Sequence, residues 1–124
     1  MQSVIYLNDM NSKELMTIVI DALEEIKAHD IDVIDVAKIT SMFEYIVIAS
    51  ADSTRQTKAL ANNVQEKIKA AGGRIYSVEG EQTGEWLLVD LGDVIVHIML
   101  PAIRDYYNLK ALWSGQAAAS SDIA

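Results

Sequence analysis

The chain contains no cysteine. Disulfide scaffolds, thiolate zinc sites and thiol nucleophiles are therefore excluded, and the absence fits a reducing compartment. No stretch approaches the ~20 consecutive apolar residues of a membrane-spanning helix. The phosphate-cradling P-loop and Gly-x-Gly-x-x-Gly patterns are missing, and no serine stands in a Gly-x-Ser-x-Gly elbow, so nucleophilic catalysis has no support. Positive charge is scarce: 10 Lys and Arg face 18 Asp and Glu, a net charge of −8. A duplex nucleic-acid binder needs a basic footprint, so direct binding to DNA or RNA duplexes is not expected. A basic protein partner fits better, because opposite potentials steer encounter. The first ten residues carry Asp9 but no Lys or Arg. They are not read as a signal peptide, and the expected location is the cytoplasm.

What remains is enough for one domain: 124 residues, 51% hydrophobic and 23% charged, a globular composition. Residues 1–11 have no clear period and are expected to be a flexible lead-in. From Ser12, a candidate cap, Leu15, Ile18, Val19, Ala22, Leu23 and Ile26 recur at three- and four-residue steps and predict a helix over 12–28. Residues 31–36 are β-branched and short, hence a strand. Tyr45–Ala49 is nearly all apolar, which suits a central strand covered on both faces. A second helical stripe runs from Thr57 to Ala71 and ends at Gly72-Gly73. Residues 74–78 are a short strand candidate, and residues 79–84 a polar loop. Two apolar strands, 86–91 and 94–100, meet at Gly92-Asp93, a hairpin signal. Residues 103–113 predict one final helix with Ile103, Tyr106, Tyr107, Leu109 and Leu112 as its apolar side. A disordered tail is expected over 114–124. The order implies a single small α/β domain on a mixed sheet of about five strands with helices packed on it. The segment from Tyr45 through the second helix to Val78 is a candidate right-handed parallel crossover.

Few residue groups could carry chemistry. Asp30 and Asp32 form an Asp-x-Asp pair that strand alternation would place on one side, where a divalent cation could sit; solvated acids at a strand edge explain them more simply. Ser50, Ser53, Thr54 and Arg55 precede a helix and suit either an anion site or a cap. His29 belongs at a helix C-terminus. His97 lies within a strand and reads as a structural or interface histidine. The more informative pattern is charge segregation. Between Arg74 and Arg104 there is no Lys or Arg, while Glu79, Glu81, Glu85, Asp90 and Asp93 fall there; one end of the molecule is expected to be acidic. Trp86, Leu88 and Asp90 alternate with Leu87, Val89 and Leu91. If the second set faces the helices, the first displays a Trp and a Leu beside a carboxylate, a pattern typical of interfaces.

Four pieces of sequence then stand out: Phe43-Glu44-Tyr45-Ile46-Val47-Ile48-Ala49-Ser50 followed by Ser53-Thr54-Arg55-Gln56; Val78-Glu79-Gly80; Glu85-Trp86 through Val96-His97; and Arg104-Asp105-Tyr106-Tyr107 through Leu112-Trp113. In this order and spacing, from about Leu15 to Trp113, the chain resembles the ribosomal silencing factor (Iojap) family. Ala51 replaces a glycine usual in that family, and Lys110 replaces a common acidic residue. The resemblance implies a nucleotidyltransferase-like α/β fold without catalytic groups, and a protein that is not an enzyme and needs no cofactor or metal. It also implies binding to ribosomal protein fourteen of the large subunit, steric blocking of subunit joining, lower translation when nutrients are short, and a possible homodimer. The expected contacts are Glu79, Glu81, Trp86, Leu88, Asp90 and Asp93, with Tyr107 and Trp113 secondary. The alternatives are a metal-dependent nucleotidyltransferase using Asp30 and Asp32, and an adaptor dimer for another basic protein.

Overall fold

A computed structural model describes residues 10–113. The elements in chain order are α1 (Ser12–Glu25), β1 (His29–Asp35), β2 (Tyr45–Ser50), α2 (Thr54–Ala70), β3 (Ser77–Glu79), β4 (Trp86–Asp90), β5 (Val94–Met99), α3 (Pro101–Tyr107) and α4 (Leu109–Trp113). The strands form one mixed sheet in the order β1-β2-β5-β4-β3. Only β2 and β5 pair in parallel; the other pairs are antiparallel. The expected α/β domain on a five-stranded mixed sheet is therefore present.

Alternation gives the sheet two faces of different chemistry. Across the first runs a line of five valines, Val33–Val47–Val96–Val89–Val78, one per strand. The two long helices cover this face. Val19, Leu23, Leu60, Val64 and Ile68 meet Val47, Leu87, Val89, Val96 and Ile98 in the main core. β-branched side chains suit this surface because their stiff rotamers stack along a pleat. On the second face the neighbouring row reads Asp32–Ile48–His97–Leu88–Glu79. Around it Ile34, Val36, Ile46, Ile95 and Met99 form a smaller core, against which Phe43, Ile103, Leu109 and Trp113 pack. Neither α3 nor α4 contributes a fully buried residue, so the cover on this side is thin.

Several boundaries differ from expectation for local reasons. The cap of α1 is Asn11, whose side chain accepts from Glu14 N–H while the Glu14 carboxylate accepts from Asn11 N–H. Ser12 Oγ instead donates to the Glu44 carboxylate. Met10 packs on the main core, so two residues of the expected lead-in belong to the domain; the rest of it, and the expected tail, lie outside the described residues. Helix α1 stops at Glu25 because Lys27 turns left-handed (φ 65°). Strand β3 keeps only Ser77–Glu79 of the predicted segment's neighbourhood, starting three residues later than expected. It does not pair with β2: it lies at the far edge, and the parallel neighbour of β2 is β5. The single C-terminal helix is in fact two. Asn108, at φ 48° and ψ 56°, caps α3 in the left-handed region, which asparagine tolerates. The bend turns Leu109 and Trp113 onto the sheet and leaves Tyr106, Tyr107 and Leu112 exposed.

Candidate functional site

Strand β4 shows the predicted division. Leu87 and Val89 are fully buried under the long helices, whereas Trp86, Leu88 and Asp90 are half-exposed on the second face. The thin cover of α3 and α4 leaves this side partly open. Tyr107 packs on Trp86 with ring centroids 4.7 Å apart, and Tyr106 meets Tyr107 edge-on at 4.9 Å. Trp86, Leu88, Glu79 and Gly80 line a shallow recess at the β3–β4 edge. Gly80 is required there: at φ 90°, a Cβ would come within 2.0 Å of the Trp86 carbonyl oxygen.

Trp86 is also held from below. Its Nε1–H donates to His97 Nδ1 at 2.9 Å, from the neighbouring strand. An indole nitrogen can only donate, so Nδ1 must be unprotonated and the ring proton must sit on Nε2. His97 is 8% exposed, and burial pushes its pKa down to about 4. The imidazole is therefore neutral at pH 7.

The acidic residues are spread along β4 rather than gathered at one end. Glu79 stands opposite Leu88, and Glu81 and Glu85 are exposed in or beside the loop that precedes β4. Asp90 Oδ1 accepts from Gly92 N–H, so that carboxylate shapes the β4–β5 turn. Asp93 lies in that turn, in a recess shared with Arg74 and Tyr76. Among the described residues, Glu79, Glu81, Glu85 and Asp93 form no ion pair. Trp113 packs edge-on against Phe43 at 5.6 Å, away from the Trp86–Tyr107 pair. Of the eight predicted contact residues, the fold thus brings Glu79, Trp86, Leu88 and Tyr107 together. Glu81 lies in the adjoining loop, Asp90 farther along the same face of β4, Asp93 in the β4–β5 turn, and Trp113 against Phe43.

The Asp-x-Asp pair does not converge. A bulge between His29 and Asp32 puts Asp30 at φ 52° and breaks the alternation that would have aligned the two carboxylates. Asp30 turns to His29, whose ring also meets Asp52 at 3.0 Å. The His29 pKa is raised, chiefly by its hydrogen bond to Asp30. Asp32 is engaged by two cations, Arg104 Nη2 at 2.6 Å and Lys110 Nζ at 3.3 Å. Arg104 Nη1 also donates to Ser50 Oγ and to the Asp30 carbonyl oxygen. Ser53 caps α2 by accepting from Gln56 N–H. Two of the candidate anion-site residues, Ser50 and Ser53, are thus occupied in anchoring α3 and starting α2.

The comparisons with known proteins decide the family. The model of the family described as "Ribosomal silencing factor during starvation" (RsfS) matches residues 9–124. The chain belongs to the RsfS family. Ribosomal silencing factor RsfS of Chromobacterium violaceum is 54% identical over 107 residues, 86% of this chain and 88% of that one. Its namesake in Bacillus subtilis is 34% identical over 91% of this chain and 96% of its own length. A crystal structure of a Chromobacterium violaceum protein superposes with a TM-score of 0.82 at 54% identity, covering 84% of this chain and 87% of that chain. The partners of two residues in this RsfS-family chain were not readable from the sequence. Arg104 fastens α3 to a strand 72 positions away in sequence, and no local pattern announces such a pair. His97 does signal itself weakly, as a polar residue inside an apolar strand flanked by Val96 and Ile98.

Proposed function

We propose that this chain is a ribosome anti-association factor that works by occlusion, without catalysing a reaction. In this reading it docks on the large subunit through a basic ribosomal protein, the fourteenth, and so stops the small subunit from joining. Translation is thereby repressed when nutrients are short. It acts in the cytoplasm, and the free chain forms a homodimer. Glu79, Glu81, Trp86, Leu88, Asp90 and Asp93 make the contact, with Tyr107 and Trp113 in support. The observation that carries the proposal is the half-open second face: Trp86 and Leu88 share a recess with Glu79, and exposed Glu81 follows in the adjoining loop. Apolar area supplies affinity there, while charge supplies steering and register against a Lys- and Arg-rich partner.

The rival reading, metal-dependent phosphoryl chemistry at Asp30 and Asp32, finds no support in a carboxylate already held by two cations and a neighbour turned toward His29. Sedimentation with separated ribosomal subunits tests the proposal. Co-migration with the large subunit is expected, and Trp86→Ala weakens it at least tenfold, the scale of a Trp anchor. Co-migration with the small subunit alone overturns the assignment.

A further inference from the structure

We propose that His97 is a positioning residue for the docking face. By accepting from Trp86 Nε1–H it fixes the indole in one orientation, with its polar edge turned inward and its ring presented to the partner. The inference rests on the proposed function and adds how the docking surface is kept in shape.

Three observations converge. The hydrogen bond is 2.9 Å long and links neighbouring strands. Trp86 is half-buried on a face whose covering helices bury no residue fully, with Tyr107 as its ring neighbour from α3. A half-exposed indole without such a bond would sample several rotamers, and ordering it would then weaken association. Finally, His97 lies at the centre of its row, between Ile48 on β2 and Leu88 on β4, where it is packed too tightly to move itself. The donor of Trp86 is thereby used up inside the molecule. What the indole leaves open to a partner is carbon surface, with Tyr107 tilted against it at 48°. That surface favours an aliphatic or cationic side chain over a hydrogen-bond acceptor.

Two variants of the full chain separate positioning from mere packing. His97→Leu keeps bulk and removes the acceptor; His97→Asn replaces the acceptor with an amide oxygen. In nitrogen-15 NMR at pH 7, the wild-type ring is expected as the Nε2–H tautomer, with a scalar coupling across the hydrogen bond to the Trp86 indole nitrogen. His97→Leu should shift the Trp86 indole N–H signal and weaken large-subunit binding about tenfold, the value of one lost hydrogen bond. His97→Asn should restore most of the binding. An Nδ1–H tautomer in the wild type overturns the proposal, as does unchanged binding by a folded His97→Leu chain. If the wild type binds no large subunit, the docking role falls together with the proposed function, whereas equal binding by wild type and His97→Leu removes the positioning role alone. Should His97→Leu fail to fold, Trp86→Phe deletes the donor instead. Loss of binding by Trp86→Phe supports the proposal, and full binding overturns it.

Discussion

The two faces of the sheet are built from alternate residues of the same five strands, yet they are finished differently. The first carries a line of valines that two long helices close over Val47, Val96 and Val89, leaving Val33 exposed at the β1 edge. The second carries Asp32, Ile48, His97, Leu88 and Glu79 in its corresponding row and is roofed by two short helices. Both sides bury a core, but the second also leaves Trp86, Leu88 and Glu79 within reach of solvent. The contrast teaches that odd and even positions of one strand can be given different degrees of closure.

Strand β4 allows the sharpest attempt to break this division. Leu87→Ala should cost about 3 kcal/mol of folding stability by emptying a fully buried site. Leu88→Ala, one residue on, should cost about 1 kcal/mol and act mainly on large-subunit binding. Denaturant unfolding of both variants checks this, and equal destabilisation would erase the distinction between faces.

Acid should act through the second face. The unfolded chain protonates His97 near the ordinary histidine value, while the folded chain resists until about pH 4. Between those values the unfolded state binds more protons, so stability falls as pH drops from about 6.5 to 4, by up to about 3 kcal/mol. His29 acts in the opposite sense: its raised pKa adds a small stabilisation at low pH that fades as pH rises through the raised value. Unfolding of the wild type and His97→Leu at pH 7 and pH 4.5 should show the acid loss reduced in the variant.

Smaller effects should follow from the roof. Arg104→Ala should cost about 2 kcal/mol, since its guanidinium donates to Asp32, Ser50 and the Asp30 carbonyl. Increased hydrogen exchange in α3 and α4 would report the loosening. Lys110→Ala, whose amine is largely exposed, should cost no more than about 0.5 kcal/mol. If Lys110 proved the costlier loss, the anchor would have been assigned to the wrong cation.

Much of this architecture was legible because it is local. The three- and four-residue spacing of Leu15 to Leu23 marks α1, Gly72-Gly73 ends α2, and the alternation along 86–91 divides β4 between the faces. What was not legible depends on backbone exceptions and on distance. The left-handed Asn108 splits the last helix, and the bulge at Asp30 separates a carboxylate pair that perfect alternation would have aligned. The site was readable where it follows from β4 alone, as at Trp86 and Leu88. Its charged border was less so, because whether Asp90 faces a partner or caps a turn depends on the amide of Gly92.

The valine line carries a consequence for how the sheet is put together. Shifting β4 by one residue would carry Leu88 or the Asp90 carboxylate beneath the long helices and expel Val89 into water. Misalignment therefore cannot survive as a slightly poorer version of the fold, and correct pairing is proofread by the buried valines on the three inner strands.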